Sequence, residues 1–524
     1  MMIQKNFFCI CFFAIFLMVC NGVSGQETRK KEAPADIFNQ FQVPQWFKDA
    51  KFGLWLHWGP QSIPAKGGGW YARHMYAHGE DLTDGWGSDA WPYHRETYGH
   101  QSEFGYKDII NLWKAEKFDA DATMKQFKRW GARYAAIIGQ HHDNYDLFYS
   151  PVHQWNAVNV GPKRDILGEF ATAARKYGLK WAATSHGYWA NWWYKPAFSC
   201  DKEGPKKGVS YDGNLTKVDG IGQWWEGLDP QQLYAHKYPD FEKELNIRLM
   251  DLVKNYRPDI LYFDNNDIPA PAVAACEYLY KQSLDREGHI QTIVTVKKPQ
   301  QGTVLDFEKG IADGIMNEYW QTDTSLNGAW FIKPNDGKGS VVESSSSGEL
   351  RHNARTLEEL FVDIISKRGV LLLNLPIYPD GSIPQEQINI MDEFGSWINA
   401  NGEAIFASEP WKVYGKGGEA AGGHFNERTV TSQPWDENIY RFTCNKDKKT
   451  LYVHIFGNPS GKKIVISELA DKELFNGQVK KVFMVSGKKS VRYKMTPEGL
   501  SVIMPDKLDF PNCNVLKITT TGLW

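Results

Sequence analysis

The segment LYFD at residues 261–264 constrains the fold most, because three apolar residues run directly into a carboxylate. The preceding residues 241–256 carry leucines at helical spacing, and Pro258 ends that run. A helix, a turn and a buried strand that ends in an acid make up half of a β/α unit. Barrels built from such units carry their chemistry at the C-terminal ends of the strands. The alternative is that Asp264 only caps the following turn or helix.

Apolar strands and amphipathic helices alternate along most of the chain. The strand candidates are Phe52–Trp58, Tyr134–Gly139, Lys180–Thr184, Ile260–Phe263, Ile290–Val296 and Leu371–Leu375. The helix candidates include Ala122–Trp130, Ile166–Tyr177, Phe241–Tyr256 and Leu357–Lys367. This alternation indicates a parallel sheet, and the number of repeats favours a closed (β/α)8-type barrel.

The pattern changes near residue 410, where helical periodicity stops and short alternating runs separated by Gly, Asn and Asp begin. Such runs predict a C-terminal antiparallel β-sandwich. We therefore predict a catalytic barrel over residues 41–409 and a β-sandwich over residues 410–524. The sandwich either supports the barrel or binds carbohydrate, and we favour support.

The N-terminus has the composition of an export signal. The apolar run Phe7–Val19 is too short for a confident membrane span, and small residues at 23–25 offer a cleavage site. We predict a signal peptide over residues 1–25, a charged linker over residues 26–40, and a periplasmic or secreted protein with no integral membrane span. A lipid anchor at Cys20 is the second choice.

Charge and aromatic content narrow the class of partner. The net charge is -2, with 60 basic and 62 acidic residues, which argues against a nucleic-acid partner. Many of the 21 Trp lie near Gly, His and Asn. Flat apolar rings beside polar groups suit a sugar, so the expected partner is a glycan or oligosaccharide. Three of seven cysteines fall in the predicted signal, and Cys444 and Cys513 could form a disulfide.

Polar side chains follow four successive predicted strands: His57, His141 with His142, His186, and Asp264. Barrel geometry collects these strand ends in one pocket, which predicts a site. A metal is the rival interpretation, but the spacing matches no metal motif, so we predict neither a metal nor another cofactor.

These residues resemble those of the glycoside hydrolase family 29 α-L-fucosidases. The resemblance rests on His57-Trp58-Gly59, Trp70-Tyr71, His141-His142-Asp143, Gly161-Pro162-Lys163-Arg164-Asp165, Tyr262-Phe263-Asp264, Gly369 with Leu371-Leu372-Leu373-Asn374, Asp380-Gly381 and Asn401-Gly402-Glu403-Ala404-Ile405.

The resemblance implies a retaining exo-glycosidase with a covalent glycosyl-enzyme, a (β/α) barrel and a C-terminal sandwich. It implies that Asp264 is the nucleophile and Glu308 the acid/base, with Glu318 as the other candidate. His57, His141 and His142 would bond fucose hydroxyls, and His186 would line the pocket. The apolar walls would come from Trp70, Tyr262 and Trp330.

Five residues depart from the family pattern: Gly69 and Gln321 stand where Glu is common, Lys297 and Lys298 where Arg is, and Tyr262 where Trp is. Losing a charged hydrogen-bonding partner changes substrate preference about tenfold or more. Two alternatives therefore stay open: an α-L-galactosidase or related activity, and a catalytically inactive glycan-binding protein. We expect the loops at residues 67–106 and 195–239 to set aglycone preference; the oligomeric state does not follow from the sequence.

Overall fold

A computed structural model of the chain describes residues 36–78, 89–333 and 352–523. Eight parallel strands form a closed barrel in which each strand pairs with the next and the eighth pairs with the first. The strands are β1 (Phe52–Leu56), β2 (Tyr134–Gln140), β3 (Lys180–Ser185), β4 (Ile260–Phe263), β5 (Ile293–Val296), β6 (Val304–Glu308), β7 (Trp320–Ser325) and β8 (Gly369–Asn374). The predicted (β/α)8-type barrel is confirmed.

Helices precede, connect and follow the strands of the barrel. They are α1 (Asp36–Asn39), α2 (Gln45–Ala50), α3 (Tyr71–His74), α4 (Ala90–Thr97), α5 (Tyr106–Leu112), α6 (Ala120–Arg129), α7 (Ile166–Lys176), α8 (Ala190–Trp193), α9 (Pro230–Tyr234), α10 (Phe241–Tyr256), α11 (Val273–Gln282), α12 (Ala354–Ser366), α13 (Gln385–Ala400), α14 (Gly402–Ile405) and α15 (Arg428–Thr431). Side-chain caps fix the starts of α6 and α7, among others: Asp119 accepts a hydrogen bond from Ala122 N, and Asp165 accepts one from Gly168 N.

Six of the eight barrel strands coincide with predicted strands, whereas β6 and β7 were missed. Both carry polar residues at every second position: Asp306 and Glu308 in β6, and Gln321 and Asp323 in β7. A search for continuous apolar runs rejects such strands. In this barrel their polar faces take part in the site described below.

The C-terminal part is an antiparallel β-sandwich, as predicted. Its five-stranded sheet has the order β13-β16-β11-β10-β9, and its three-stranded sheet the order β12-β15-β14. The strands are β9 (Gly415–Lys416), β10 (Tyr440–Cys444), β11 (Thr450–Phe456), β12 (Lys463–Ile466), β13 (Val479–Met484), β14 (Arg492–Thr496), β15 (Gly499–Ile503) and β16 (Cys513–Thr520). The boundary near residue 410 stays a prediction.

A buried ion cluster joins the two parts. Arg441 of β10 donates from Nε to Asp363 Oδ1 of α12 at 2.7 Å, and Lys367 donates to Asp363 Oδ2 at 2.8 Å. Further donors of Arg441 reach the carbonyls of Gly417 and Gly418 at 2.8 and 2.9 Å. All three charged side chains are fully buried. This barrel–sandwich cluster therefore fixes β10 against α12.

The suggested disulfide between Cys444 and Cys513 is wrong, since the four cysteines of the described residues are free. Cys444 pairs in register with Leu451, and Cys513 pairs with Phe456. The two cysteines thus lie beside opposite ends of β11, too far apart for the short Cα separation that a disulfide requires.

The predicted signal peptide lies outside the described residues, as does most of the predicted linker. The end of that linker is not extended chain, because α1 buries Ile37 and Phe38, and Phe38 packs edge-on against Tyr280 at 5.6 Å. Within the described ranges, no helix combines the length and apolar character that a membrane crossing needs.

Candidate functional site

A cavity of about 430 Å³ opens at the C-terminal ends of the barrel strands, within the range of small-molecule sites. Every site residue predicted from the sequence lines it, except Glu318. The lining consists of Trp55, His57, Gly69, Trp70, His141, His142, His186, Tyr262, Asp264, Glu308, Lys309, Asp323, Trp330 and Phe425. The expected convergence of strand ends is therefore observed.

His57 and His141 form a hydrogen-bonded pair whose tautomers follow from a neighbour. Gln61 Oε1 accepts from Ala72 N, so its amide nitrogen faces His141 Nδ1 at 2.8 Å. His141 then carries its proton on Nε2 and donates it to His57 Nε2 at 3.0 Å. Burial lowers the pKa of both histidines well below its ordinary value. Both rings are therefore neutral near pH 7.

His142 and His186 surround the carboxylate of Asp264. His142 Nδ1 donates to the carbonyl of His186 at 2.8 Å, which leaves its Nε2 as an acceptor 3.8 Å from Asp264 Oδ2. His186 Nδ1 lies 3.2 Å from the same oxygen. Burial lowers the pKa of His142 to about 4. The acid at the end of β4 therefore faces two imidazoles and does not serve as a helix cap.

The electrostatic environment of Asp264 favours its ionised form. Burial alone would raise the pKa of this carboxyl, but contact with His186 and the charge of Lys297 outweigh burial and lower it well below its ordinary value. Lys297 Nζ lies 4.0 Å from Asp264 Oδ1. Asp264 is therefore an anion across the neutral pH range.

A group of charged side chains lies beneath the cavity around Lys297, and we call it the floor cluster (Lys297, Asp306, Asp323). Lys297 Nζ donates to Asp306 Oδ2 at 2.7 Å and to Asp323 Oδ2 at 3.0 Å. Tyr262 OH donates to Asp323 Oδ2 at 2.8 Å, and Gln321 Nε2 donates to Asp306 Oδ1 at 2.7 Å. Three of the departures from the family pattern, Lys297, Tyr262 and Gln321, thus belong to one network.

Glu308 is the last residue of β6, and hydrogen bonds of its main chain hold it in place. Its N–H donates to His424 Nδ1 at 3.0 Å, and His424 Nε2 donates to the carbonyl of Lys297 at 3.0 Å. Burial, together with the charge of Asp264, raises the pKa of Glu308 to about 8 against the opposing charge of Lys297. Glu308 therefore holds a proton near pH 7. Glu318 is exposed and precedes β7, at the opposite end of the barrel.

Aromatic side chains form the walls. Trp330 lies 5.6 Å from Trp55 and 5.5 Å from His57 between ring centroids, while Tyr262 lies 5.3 Å from Trp55. Trp70 packs on Trp193 at 4.4 Å. These rings give the cavity a largely apolar lining around its polar histidines and carboxyl groups.

Glycine at position 69 leaves no empty space. A Cβ there would lie 3.0 Å from His141 Cε1 and 3.3 Å from Phe331 Cε2. The two rings occupy the space into which a side chain at this position would extend.

Sequence reasoning did not identify Trp55, Lys309, Asp323 and Phe425 as lining residues. Asp323 had a signal, because it alternates with Gln321 and Ser325 on one face of β7. Trp55 lies inside an apolar strand, where it reads as core. In the sequence, Phe425 comes long after the last barrel strand, and no local pattern connects it with the cavity. The loop at residues 195–239, expected to contribute, supplies none of the lining residues.

Two histidine groups could reach a cation. The ligand atoms of His57, His141 and His186, and those of His142, His186 and Asp264, lie within 4.8 Å of one another. The Nε2 atoms of His57 and His141, however, already share a hydrogen bond. The absence of a functional metal stays a prediction.

The arrangement brings the ionised carboxylate of Asp264 and the protonated carboxyl group of Glu308 together in an aromatic cavity. Environments that separate the pKa values of two carboxyl groups provide a nucleophile or base and a general acid. The fold and these groups together are suited to acid–base cleavage of a glycosidic bond.

Comparison with known proteins agrees with this chemistry. The model of the family described as alpha-L-fucosidase matches residues 18–403. Tissue alpha-L-fucosidase of Mus musculus is 27% identical over 386 residues, 71% of this chain and 73% of that protein. Alpha-L-fucosidase of Dictyostelium discoideum is 23% identical over 439 residues, covering 83% of this chain and 82% of the relative.

Solved structures share the fold. Alpha-fucosidase of Thermotoga maritima, in complex with a mechanism based inhibitor, has a TM-score of 0.67 at 23% identity, covering 92% of this chain and 98% of that one. The resemblance drawn from the motifs is confirmed. Because the family model spans well over half of the sequence, the chain belongs to the alpha-L-fucosidase family of glycoside hydrolases.

Proposed function

We propose that this protein is a retaining exo-glycosidase that releases terminal α-L-fucose from glycans, with Asp264 as nucleophile and Glu308 as acid/base. The observation that carries the proposal is the opposite shift of their two pKa values within one cavity. A nucleophile must be ionised and a general acid protonated at the same pH.

In the first step, Asp264 attacks the anomeric carbon while the bond to the leaving oxygen breaks and Glu308 transfers its proton to that oxygen. In the second step, the Glu308 carboxylate takes a proton from water, whose oxygen displaces Asp264 from the anomeric carbon. Two inversions give net retention, and both carboxyl groups return to their starting states. This mechanism requires the two groups to lie about 5–5.5 Å apart.

Neutral imidazole rings in the cavity would recognise the hydroxyl groups of the sugar. His142 Nε2 can accept a hydrogen bond from a sugar hydroxyl, and His57 Nδ1 can donate one without the cost of burying a charge. Both nitrogens of His141 are already paired with Gln61 and His57. Trp70, Tyr262 and Trp330 would contact the C–H surface and the methyl group of a 6-deoxy sugar. His186 would orient the nucleophile.

The geometry gives the L-galactose alternative no specific support. That alternative was motivated by the absence of Glu at position 69, and His141 and Phe331 occupy the space into which a side chain at Gly69 would extend. The inactive glycan-binding protein is disfavoured because both carboxyl groups line the cavity.

The test is hydrolysis of 4-nitrophenyl α-L-fucoside by wild type and by Asp264→Asn. We expect the variant to lose at least about 10³-fold in kcat/KM, since its amide cannot attack. Asp259→Asn is the matched control: Asp259 lies just before the other end of β4, where it binds Lys180 at 2.7 Å. A wild type that cleaves aryl α-L-galactoside but not the fucoside would contradict the proposed substrate.

We also propose that the protein is exported, on the strength of the apolar run Phe7–Val19 and the small residues that follow it. N-terminal sequencing of the protein from its native host should begin at Gln26. An N-terminus at a lipid-modified Cys20 would favour the anchored form, and an intact N-terminus would contradict export.

A further inference from the structure

A short segment after the barrel returns to the mouth of the cavity; we call residues 423–427 the rim segment. Its backbone pairs with the end of β6 and the residues that follow. Gly423 N donates to the carbonyl of Ile311 at 2.8 Å, Phe425 N to that of Glu308 at 2.8 Å, and Glu427 N to that of Lys309 at 3.0 Å. The rim segment is therefore hydrogen-bonded to the peptide of the proposed acid/base.

Phe425 lines the cavity, yet 63% of this residue is exposed. It differs in this from Tyr262, which is buried and forms an inner wall. An exposed phenyl ring contributes little to the core, so packing of the protein does not account for it.

The backbone of Phe425 adds an independent observation. Its φ is 61°, in the left-handed region that a bulky side chain rarely adopts and that Gly or Asn occupies at lower cost. Strained residues of this kind concentrate at ligand-contacting positions. Three backbone hydrogen bonds of the rim segment hold the conformation in place.

We propose that Phe425 forms the wall of a leaving-group subsite, on which the first sugar or aryl ring attached to the departing oxygen stacks. The inference rests on the proposed function, because Glu308 must reach the leaving oxygen in order to protonate it. The ring joined to that oxygen then lies beside Glu308, where the rim segment holds Phe425. The class of ligand is a pyranosyl or aryl aglycone that presents a flat or C–H-rich face.

The proposed contact of Phe425 with the leaving group also distinguishes this subsite from the pocket that binds the fucosyl group. A contact with the leaving group changes bond cleavage only when the leaving group has a ring to contact. Fluoride as a leaving group offers no such surface, whereas 4-nitrophenolate and the lactose unit of 2′-fucosyllactose do. The three substrates share one fucosyl group and differ in what Phe425 can touch.

The experiment measures kcat/KM of the full chain for α-L-fucosyl fluoride, 4-nitrophenyl α-L-fucoside and 2′-fucosyllactose. The variants are Phe425→Ala and Phe425→Asn, the second because Asn tolerates a left-handed backbone. Tyr378→Ala is the control: it removes another exposed aromatic residue, 46% exposed, that does not line the cavity. Thermal melting confirms that each variant is folded.

We expect both Phe425 variants to lose about tenfold in kcat/KM for 2′-fucosyllactose, less for the aryl fucoside, and nothing for the fluoride. Tyr378→Ala should match wild type on all three. Equal values for wild type and both variants would overturn the inference, as would an equal loss on all three substrates, which would indicate a structural role. A folded wild type that cleaves none of the three would instead overturn the proposed function.

Discussion

At the barrel–sandwich cluster two cations share one carboxylate, whereas in the floor cluster one cation faces two carboxylates, with Asp264 only 4.0 Å away. Both clusters are buried and both are built from Lys or Arg with Asp. In the first, main-chain carbonyls accept the donors that Asp363 does not satisfy. In the floor cluster, the single positive charge of Lys297 cannot balance the carboxyl groups around it.

The chemical consequence differs accordingly. Burial, together with the charge of Asp323, raises the pKa of Asp306 to about 7. The same excess of acid helps to keep a proton on Glu308. A buried cluster with matched hydrogen bonds fixes two elements together. A buried cluster with surplus carboxyl groups supplies protons, which is the property that a hydrolase requires.

The comparison predicts its largest effect at Glu308. We expect Glu308→Ala to lose about 10³-fold in kcat/KM on 2′-fucosyllactose, whose leaving group needs a proton, and much less on 4-nitrophenyl α-L-fucoside. Azide should restore turnover of the aryl substrate and yield α-L-fucosyl azide, because azide replaces water in the second inversion.

The control for that variant is Glu318→Ala. Its exposed carboxyl lies at the opposite end of the barrel, so we expect unchanged kinetics. If Glu318→Ala were the variant rescued by azide, the assignment of Glu308 would be wrong.

A substitution in the barrel–sandwich cluster should lower the stability of the protein and leave its activity unchanged. Asp363→Asn leaves two buried cations without their counter-charge, which costs about 3–5 kcal/mol of unfolding free energy. Urea denaturation measures the loss, and the specific activity of the folded variant should equal that of wild type. A changed pH profile in this variant would remove the distinction between the two clusters.

The pH profile of the wild type follows from the site. Glu308 must be protonated for bond cleavage, so kcat/KM should fall as pH rises through about 8, tenfold per further unit. Toward acid, Asp264 stays ionised, and activity should hold until His142 takes up a proton near pH 4. The alkaline limb should vanish in Glu308→Ala with the aryl substrate; its persistence would point to another acid.

The smallest predicted effect concerns Lys297, whose charge lowers the pKa of both Asp264 and Glu308. In Lys297→Met the alkaline limb of the pH profile, set by Glu308, should move upward by about one unit, whereas the acid limb, set by His142, should stay in place. Lys298→Met removes the neighbouring exposed cation and should leave the profile unchanged. Identical profiles for the two variants would show that the floor cluster does not tune the site.

The barrel could be predicted because six strands are apolar on both faces, which is the pattern of a parallel sheet covered by helices. β6 and β7 escaped the same search because their inward faces hold Asp306, Glu308, Gln321 and Asp323. A search for carboxyl and amide groups at alternate positions would have found them. The strands that are hardest to predict are thus those that carry the proton-holding groups.

The candidate site was predictable where residues stand at strand ends, as His57, His141, His186 and Asp264 do. Phe425 was not, because it reaches the cavity through backbone pairing between the rim segment and the end of β6. Main-chain hydrogen bonds carry no side-chain signal, so only the folded chain shows this contact. The sequence also could not show that His141 and Phe331 occupy the space beside Gly69.

The most direct test of the account is to trap the covalent intermediate. A 2-deoxy-2-fluoro-α-L-fucosyl fluoride slows both steps by destabilising the oxocarbenium-like transition states, and its activated leaving group lets the first step proceed. We predict that peptide mass spectrometry finds one fluorofucosyl group on the peptide that contains Asp264. An active enzyme that is inhibited without covalent labelling, or that is labelled at another carboxyl group, would contradict the proposed mechanism.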